Sequence, residues 1–563
     1  MLTELNTHEQ IQTAVDKLSF FDTHTLRPQQ LQALEFIAQS SKRFIAIEAP
    51  TGTGKSAIGA IAGLMTDNAI YTVHSKSLQE QIQSEFPEIP VLMGRANYMC
   101  GYNDGLNAGQ CTPSKAHPCT PKTCDYARTK AKCKAAPIKC LNYPYLFAEL
   151  NYAGAQFGNH DVVVCDEADT VEEGLSGFIS LRVTSKMIKE YGLTLPKYKA
   201  ADGEHKLSEW KDWAKSCAIK LAGIQRELKA RDHGGVVPDS AQEEMDKTAS
   251  VLMGFDLFQR NVDSTWLYDE DKRRYGTTHT WKPLWLTREL AERFLWSYNK
   301  RWILMSATLP PPETLCRQLG IPIAELDYLR VPSPFNPKRS PVYLTKSWDG
   351  RRKTEEYPER FDIDNAVKDV QTILAKHVNV KGLIHCVSYK VVDAIMAGCQ
   401  REMLVSVGHN RKYPETFKRL VTHKTANRTD VLSNFISSPY PQVLVSPSMD
   451  RGVSLPYEKC RFSILVKTPF ESLGDKKVSK RLYDYAMDGN GWYKAVTAQN
   501  IVQAVGRGMR AEDDWCVNYL IDSSTYTFVF EHPGLFNEHF RACIVLGANG
   551  AWKEKTIITG MNV

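Results

Sequence analysis

Short apolar runs that break abruptly into glycine, serine or carboxylate residues recur along this chain. Phe44-Ile45-Ala46-Ile47 is the first, followed after Glu48 by APTGTGKS, Ala49 to Ser56, and then by the small and apolar stretch Ser56 to Leu64. Asp161-Val162-Val163-Val164-Cys165 is the second and ends in Asp166-Glu167-Ala168-Asp169. A third, within Arg301 to Leu309, runs into Ser306-Ala307-Thr308. Apolar runs of this length, bounded by turn residues, predict strands buried on both faces, and the helical stretch after the first predicts an α/β fold built on parallel sheet. Leu207 to Arg231 and Ser240 to Gln259 instead have the spacing of amphipathic helices, with the breaker string His233-Gly234-Gly235-Val236-Val237-Pro238 between them.

The chemistry gathers where the apolar runs end. A strand, a glycine-rich turn and a helix make a nest of backbone N–H groups at a helix N-terminus, which suits phosphate oxygens. Ala49, Pro50, Thr51, Gly52, Thr53 and Gly54 form that turn, with Gly52 and Gly54 permitting close backbone approach. Lys55 is expected to reach the β- and γ-phosphates of ATP, and the Ser56 hydroxyl to ligate Mg2+. At the end of the second run, Asp166 is expected to hold the same Mg2+, directly or through water, and Glu167 to orient and deprotonate the attacking water. Arg27 and Gln30, in Leu26-Arg27-Pro28-Gln29-Gln30, are candidates for the adenine, although Arg-Pro-Gln is equally an ordinary helix start. Near the C-terminus, QNIVQAVGRGMR (Gln499 to Arg510) puts Gln503, Arg507 and Arg510 at i, i+4 and i+7, one face of a helix. If that face met a γ-phosphate, the two arginines would stabilise transition-state charge.

With 563 residues the chain exceeds one hydrophobic core, so two or more domains are expected. Hydrophobic residues at 43% and charged residues at 24% are ordinary for a globular protein. A net charge of +6 is compatible with a nucleic-acid partner without arguing for one. The first residues, MLTELNTHEQIQ, lack the basic-then-apolar pattern of a signal peptide, and no apolar run reaches the roughly 18 residues of a membrane span. Six of the fourteen cysteines fall between Cys100 and Cys140, and the other eight are scattered. Scattered cysteines beside a nucleotide motif indicate a reducing cytoplasm, so the clustered ones are expected to hold metal.

As a set, APTGTGKS, DEAD, SAT and QAVGRGMR resemble motifs I, II, III and VI of superfamily 2 helicases. The resemblance is closest to the XPD/DinG iron–sulfur branch. GRANYMC (Gly94 to Cys100), CDYARTKAKCKAAPIKCLNYPYLF (Cys124 to Phe147), SPFNPKRSPVYL (Ser333 to Leu344) and TPFESLGD (Thr468 to Asp475) carry it. It departs in motif V, where Arg451-Gly452-Val453-Ser454 stands in place of the usual Glu-Gly-x-Asp. The resemblance implies two RecA-like lobes with ATP between them, four cluster cysteines and 5′ to 3′ movement on single-stranded DNA. Mapped onto it, the ligands are Cys100, Cys111, Cys119 and Cys124, with 10, 7 and 4 residues between them, while Cys133 and Cys140 pack as small hydrophobes. Four thiolates suit zinc as well as iron–sulfur; the branch uses a 4Fe-4S cluster. Lys115, Lys122, Arg128, Lys130, Lys132 and Lys134 around it would grip a DNA backbone or form a solvated face.

The 136 residues from Thr170 to Met305 exceed what a plain lobe needs between motifs II and III, so an insertion is expected, at the position of the branch's arch domain. The expected organisation is a first lobe over 1–94, an iron–sulfur subdomain over 95–140, the lobe again over 141–175, a mainly helical insertion over 176–280, the lobe's end over 281–328 and a second lobe over 329–563. The reading is an ATP-dependent DNA helicase, a monomeric motor acting on single strands and duplex junctions in a bacterial or phage-infected cytoplasm. An RNA helicase, and an ATPase that remodels protein–DNA complexes without unwinding, stay open beside it.

Overall fold

The computed structural model describes every residue except 1–5, 102–104, 112–118, 153–155, 159, 231–238, 275, 352–354, 357–361, 400–403, 406–416, 448–454, 510 and 546–563. The chain divides into two compact units. The first comprises 1–48, 54–330 and 472–490; the second comprises 49–53, 331–471 and 491–563.

Among the described residues nine strands belong to the first unit: β1 (Phe44–Glu48), β2 (Ala69–Val73), β3 (Ile138–Asn142), β4 (Val162–Asp166), β5 (Leu181–Thr184), β6 (Leu267–Arg273), β7 (Gly276–Lys282), β8 (Trp302–Ser306) and β9 (Leu326–Arg330). Six of them form one parallel sheet in the order β3-β2-β4-β8-β1-β9. Every residue of β1, β2, β4 and β8 is buried, which is why these strands read as unbroken apolar runs. The register sets Glu48 opposite Ser306 and Asp166 opposite Met305. The carboxyl ends of β1, β4 and β8 are therefore level, and three sequence motifs emerge at one edge of the sheet. The helix Lys55–Leu64 lies directly on this sheet; a Cβ at Gly59 would run into the Tyr71 ring and the Met305 methyl.

The insertion is a layer of its own. Its two long helices, Glu204–Ala230 and Asp239–Asn261, agree with the helical segments read from the sequence. The insertion is less helical than expected, because they pack with an antiparallel sheet in the order β5-β7-β6. Trp210, Trp213, Phe255, Phe258, Trp266 and Trp281 fill the space between helices and sheet, with the Trp213 and Trp281 ring centroids 4.6 Å apart.

The second unit holds β10 (Val342–Trp348), β11 (Gly382–His385), β12 (Leu404–Val405), β13 (Phe417–Lys418), β14 (Leu420–Thr422), β15 (Val443–Ser446), β16 (Phe462–Leu465), β17 (Val517–Asp522) and β18 (Ile544–Val545). Seven form a parallel sheet in the order β14-β15-β11-β16-β17-β10-β18, and β12 pairs antiparallel with β13. Ile384, Val445, Phe462, Ile464 and Tyr519 stand in its core.

One segment that lies between motifs V and VI in sequence belongs to the first unit in space. The strap Ser472–Asn490 is tied to it by a buried ion cluster. Glu172, on the helix Val171–Ile179 that follows the DEAD string, accepts from Arg481 at 2.6 and 3.1 Å and from Lys477 at 3.1 Å. Lys477 also donates to Ser176 Oγ at 3.0 Å, and Arg481 Nε donates to the Leu284 carbonyl at 2.7 Å. The guanidinium lies 4.2 Å from the Trp285 ring centre, and Trp285 Nε1 donates to Asp484 at 2.8 Å.

Burial alone would raise the Glu172 carboxyl, but Lys477 and Arg481 hold it at about 2. Its stabilising contribution is therefore complete above the ordinary carboxylate range, about 4.3, and is lost as pH falls through about 2. Glu172→Leu would leave two buried cations without their anion and is expected to cost roughly 3–5 kcal/mol, measured as an earlier first transition in urea denaturation.

Candidate nucleotide site and cysteine loop

The glycine-rich turn has the backbone geometry its sequence requires. Gly52 and Gly54 adopt left-handed conformations with φ of 84° and 80°. At Gly54 there is also no room for a side chain, because a Cβ would collide with the Gln30 carboxamide. Thr53 closes the turn, its N–H and hydroxyl donating to the Pro50 carbonyl at 3.2 and 2.8 Å. Gly54 is the N-cap of the helix Lys55–Leu64, so no side-chain oxygen competes for the first-turn N–H groups that would meet phosphate.

Gln30 is buried against this turn. Its Oε1 accepts from Arg27 N–H at 2.9 Å and its Nε2 donates to the Gly54 carbonyl at 3.4 Å. The carboxamide thus ties the start of the helix Pro28–Gln39, where Arg27 is the N-cap, to the turn.

Asp166 ends β4 as a buried carboxylate. Tyr71 Oη donates to Oδ2 at 2.7 Å, Glu167 N–H donates to Oδ1 at 3.0 Å, and Tyr143 Oη donates to the Asp166 carbonyl at 2.7 Å. Burial raises this carboxyl above its ordinary range, while the Lys55 charge and the hydrogen bonds from Tyr71 and Glu167 N–H pull it back. Lys55 and Asp166 therefore stand in one electrostatic neighbourhood, and with Ser56 next to Lys55 in the chain the set suits a phosphate-bound Mg2+. Glu167 has a left-handed backbone, φ 56°, uncommon for a residue with a Cβ and typical of functional turns. Asp169 Oδ1 accepts from Ser306 Oγ at 2.7 Å, joining the DEAD string to the SAT string.

Three polar residues that the apolar runs concealed complete this edge. Tyr71 and Tyr143 steady Asp166. Glu48, at the last position of β1, accepts from Tyr328 Oη and Arg330 Nε of β9, each at 2.7 Å. The available signal was a tyrosine inside AIYTV and a glutamate closing FIAIE, polar groups in strands buried on both faces.

Within the second unit, Gln503 lies on the helix Gly489–Val505. That helix stops before Arg507, which corrects the expectation of one helical face through Arg510. Gly506 and Gly508 carry too large an entropic cost to continue it. Arg507 is buried, and its carbonyl accepts from Leu455 N–H at 3.2 Å. Arg510 and the motif V residues Arg451 to Ser454 lie outside the described residues.

The cysteine loop draws its thiols together in part. Cys111 Sγ is 3.6 Å from Cys119 Sγ. Burial, with the neighbouring Cys100 and Cys119 thiols, pushes the Cys111 thiol up to about 12. Gly101 presses directly on the Thr123 carbonyl, bringing the backbone after Cys100 against that of Cys124. Among the described residues no group of three or more His, Cys, Asp or Glu side chains is arranged to hold a metal ion. Cys133, on the helix Asp125–Ala135, and Cys140, on β3, are both fully buried. Of the basic residues, Lys130 turns inward to Glu149 at 3.7 Å and Arg128 pairs with Asp125 at 2.8 Å. Lys122, Lys132 and Lys134 are exposed, and Lys115 lies outside the described residues.

Comparison with known proteins fits this geometry. Residues 372–528 match the family described as helicase C-terminal domain. Residues 23–234 match the family of the type III restriction enzyme res subunit. The solved structure titled XPD helicase is similar over 92% of this chain and 99% of its own, at 15% identity and a TM-score of 0.57. The chain is a nucleic-acid helicase with the fold of the XPD structures. A structure titled as apo XPD is similar over 94% of this helicase and 97% of its own chain, at 15% identity and a TM-score of 0.54. That of S. tokodaii Xpd4 covers 96% and 99%, at 14% identity and a TM-score of 0.51. No curated protein matches its sequence. Its helicase families make it an ATP-driven enzyme that uses Mg2+ and acts on nucleic acid. Among the described residues no helix is long and apolar enough to cross a membrane.

Two outcomes follow from the Asp166 environment. Lys55→Ala should abolish ATP turnover in a folded protein, read as phosphate release alongside an unchanged circular dichroism spectrum. Tyr71→Phe removes a hydrogen bond that favours the charged carboxylate, so the Asp166 carboxyl rises further. The acid limb of the ATPase pH profile should move to higher pH, and an unmoved limb would contradict that assignment.

Proposed function

We propose that this helicase unwinds DNA, moving 5′ to 3′ along a single strand, with a 4Fe-4S cluster on Cys100, Cys111, Cys119 and Cys124. The observation that carries this reading is the position of two additions in the first unit: a cysteine loop between the P-loop and the DEAD string, and a separate insertion after it. A plain nucleotide-driven lobe needs neither. The likeness to chains titled XPD supports the same reading, because it covers 92–96% of this chain.

In this reading the first-turn N–H groups of the helix Lys55–Leu64 and the Lys55 ammonium hold the phosphates of ATP. Ser56 and Asp166 would hold Mg2+, which neutralises phosphate charge when bound. Glu167 orients the attacking water and takes its proton on a carboxylate oxygen. Gln503, Arg507 and Arg510 are proposed to stabilise the charge that develops at the γ-phosphate, and Arg27 and Gln30 to border the adenine. In this reading the four cysteines would hold the cluster, supported by the approach of Cys111 to Cys119 and of the backbone at Gly101 to that at Thr123, and the cluster would supply a covalent staple to a loop too small for its own core. Zinc on the same thiolates is the alternative that metal analysis separates. A monomeric motor in repair, replication or recombination, in a bacterial or phage-infected cytoplasm, fits this reading.

Strand displacement on DNA and RNA partial duplexes with only a 5′ or only a 3′ tail tests the motor. The expected result is displacement of 5′-tailed DNA alone. Displacement of 3′-tailed DNA would overturn the polarity, RNA preference would overturn the substrate, and ATP turnover without displacement would make the protein a remodelling ATPase. Anaerobic protein should contain iron and acid-labile sulfide in equal amounts, and Cys111→Ser should bleach it while Cys133→Ser stays coloured. A colourless protein with one bound zinc would overturn the cluster.

A further inference from the structure

The strap Ser472–Asn490 presents the two most exposed aromatic side chains among the exposed large hydrophobics of the described residues. Tyr485 is 88% exposed and Tyr483 is 63% exposed, whereas Tyr152, Tyr298, Tyr389, Tyr457 and Phe530 lie between 39% and 43%. A tyrosine left this open gives up the burial of a large apolar ring. Their backbone is nevertheless fixed. Two residues before Tyr483, Arg481 is locked to Glu172, the Leu284 carbonyl and the Trp285 ring. Between the two tyrosines, Asp484 accepts from Trp285 Nε1 at 2.8 Å. Three residues beyond Tyr485, Asp488 pairs with Arg317 at 2.8 Å. A buried ion cluster is a costly anchor for a surface segment, and here it holds open rings steady in water.

The strap's own acids are already engaged. Asp475 accepts from the backbone N–H groups of Lys477 and Val478, Asp484 from Trp285, and Asp488 from Arg317. Lys476, which lies 3.7 Å from Asp269, and Lys480 are both exposed, one turn of helix apart on the helix Lys476–Leu482 that leads into Tyr483. Fixed aromatic faces beside exposed cations are the combination that binds single-stranded nucleic acid without reading its sequence. Bases stack on the rings, and the cations meet the phosphates.

We propose that Tyr483 and Tyr485 form a base-stacking platform for single-stranded nucleic acid on the first unit, with Lys476 and Lys480 contacting its backbone. This rests on the reading of the chain as a nucleic-acid motor and adds a binding element to it. Stacking and ion pairing respond differently to salt and to base removal, which gives the platform a signature of its own. Removing a ring weakens binding without changing its salt dependence. Removing a lysine flattens the slope of log affinity against log salt.

The test uses the full chain and fluorescence anisotropy with a mixed-sequence single-stranded DNA, its RNA counterpart and an abasic strand of equal length. Tyr483→Ala/Tyr485→Ala is expected to weaken DNA binding about 5- to 100-fold, with an unchanged salt slope and no further loss on the abasic strand. Tyr483→Phe/Tyr485→Phe, which keeps the rings, should restore most of the affinity, and Lys480→Ala should lower the slope. DNA and RNA affected alike would mark stacking on any base; DNA alone would narrow the platform to that ligand. Equal affinity of the wild-type and alanine proteins for the normal strand would overturn the platform, including the case in which the rings meet a protein partner instead. A wild-type protein that binds no strand at all would overturn the motor reading itself, a result separable from failure of the platform alone.

Discussion

A carboxylate that must stay charged while buried sets the terms for the first unit. Asp166 lies out of solvent, where its charge is disfavoured, and everything adjacent to it compensates. The compensating groups come from separate stretches of chain: Tyr71 from β2, Tyr143 from the helix after β3, Lys55 from the helix after β1, and the N–H of Glu167. Only the order β3-β2-β4-β8-β1 brings them to one end of one strand. A slip of one residue in β4 would turn the carboxylate to the opposite face of the sheet. The fold and the site thus share one constraint. The Ser306–Asp169 hydrogen bond and the Glu48 contacts to Tyr328 and Arg330 extend it along the same sheet edge.

The same economy governs the residues after the DEAD string. The helix Val171–Ile179 carries Glu172 into a second buried charge, and here the partners are two cations. Asp166 is raised by burial because hydrogen bonds and one lysine only partly offset it, whereas Glu172 is lowered because paired cations overcome the same penalty. Two carboxylates six residues apart in sequence are tuned in opposite directions. The first is left receptive to a metal ion, and the second is committed to holding the strap.

The sequence was legible where burial made it monotonous. Strands buried on both faces stood out as apolar runs, and β1 and β4 end within a residue of the expected positions. The glycine-rich turn was legible because left-handed backbone and close approach both require glycine at Gly54. The sheet of the insertion was hidden because β6 reads LYDEDKR, a charged string without apolar alternation, held by aromatic residues elsewhere in the chain. Tyr71 and Tyr143 drew no reading of their own, since nothing local says that their hydroxyls meet a carboxylate and a carbonyl. The strap was invisible for a related reason: its anchors lie 305 and 309 residues from Glu172. In the cysteine loop, sequence marked the four candidate ligands, and the geometry gathers their segments without arranging them as a finished metal site.

That separation has a consequence in time. Glu172 is synthesised 309 residues before Arg481. At about 5–20 residues per second, the interval between them is on the order of 15–60 s. Throughout it the first unit can complete its parallel sheet and the layers of the insertion, yet the glutamate has no cation to join it. The unit is closed only when its last segment arrives, after most of the second sheet has already been made. From the completion of β9 at Arg330 to the arrival of Arg481, roughly a quarter of its synthesis, a nascent chain of this helicase therefore carries an unfinished surface on an otherwise folded unit. That surface spans Glu172, Ser176 and Trp285.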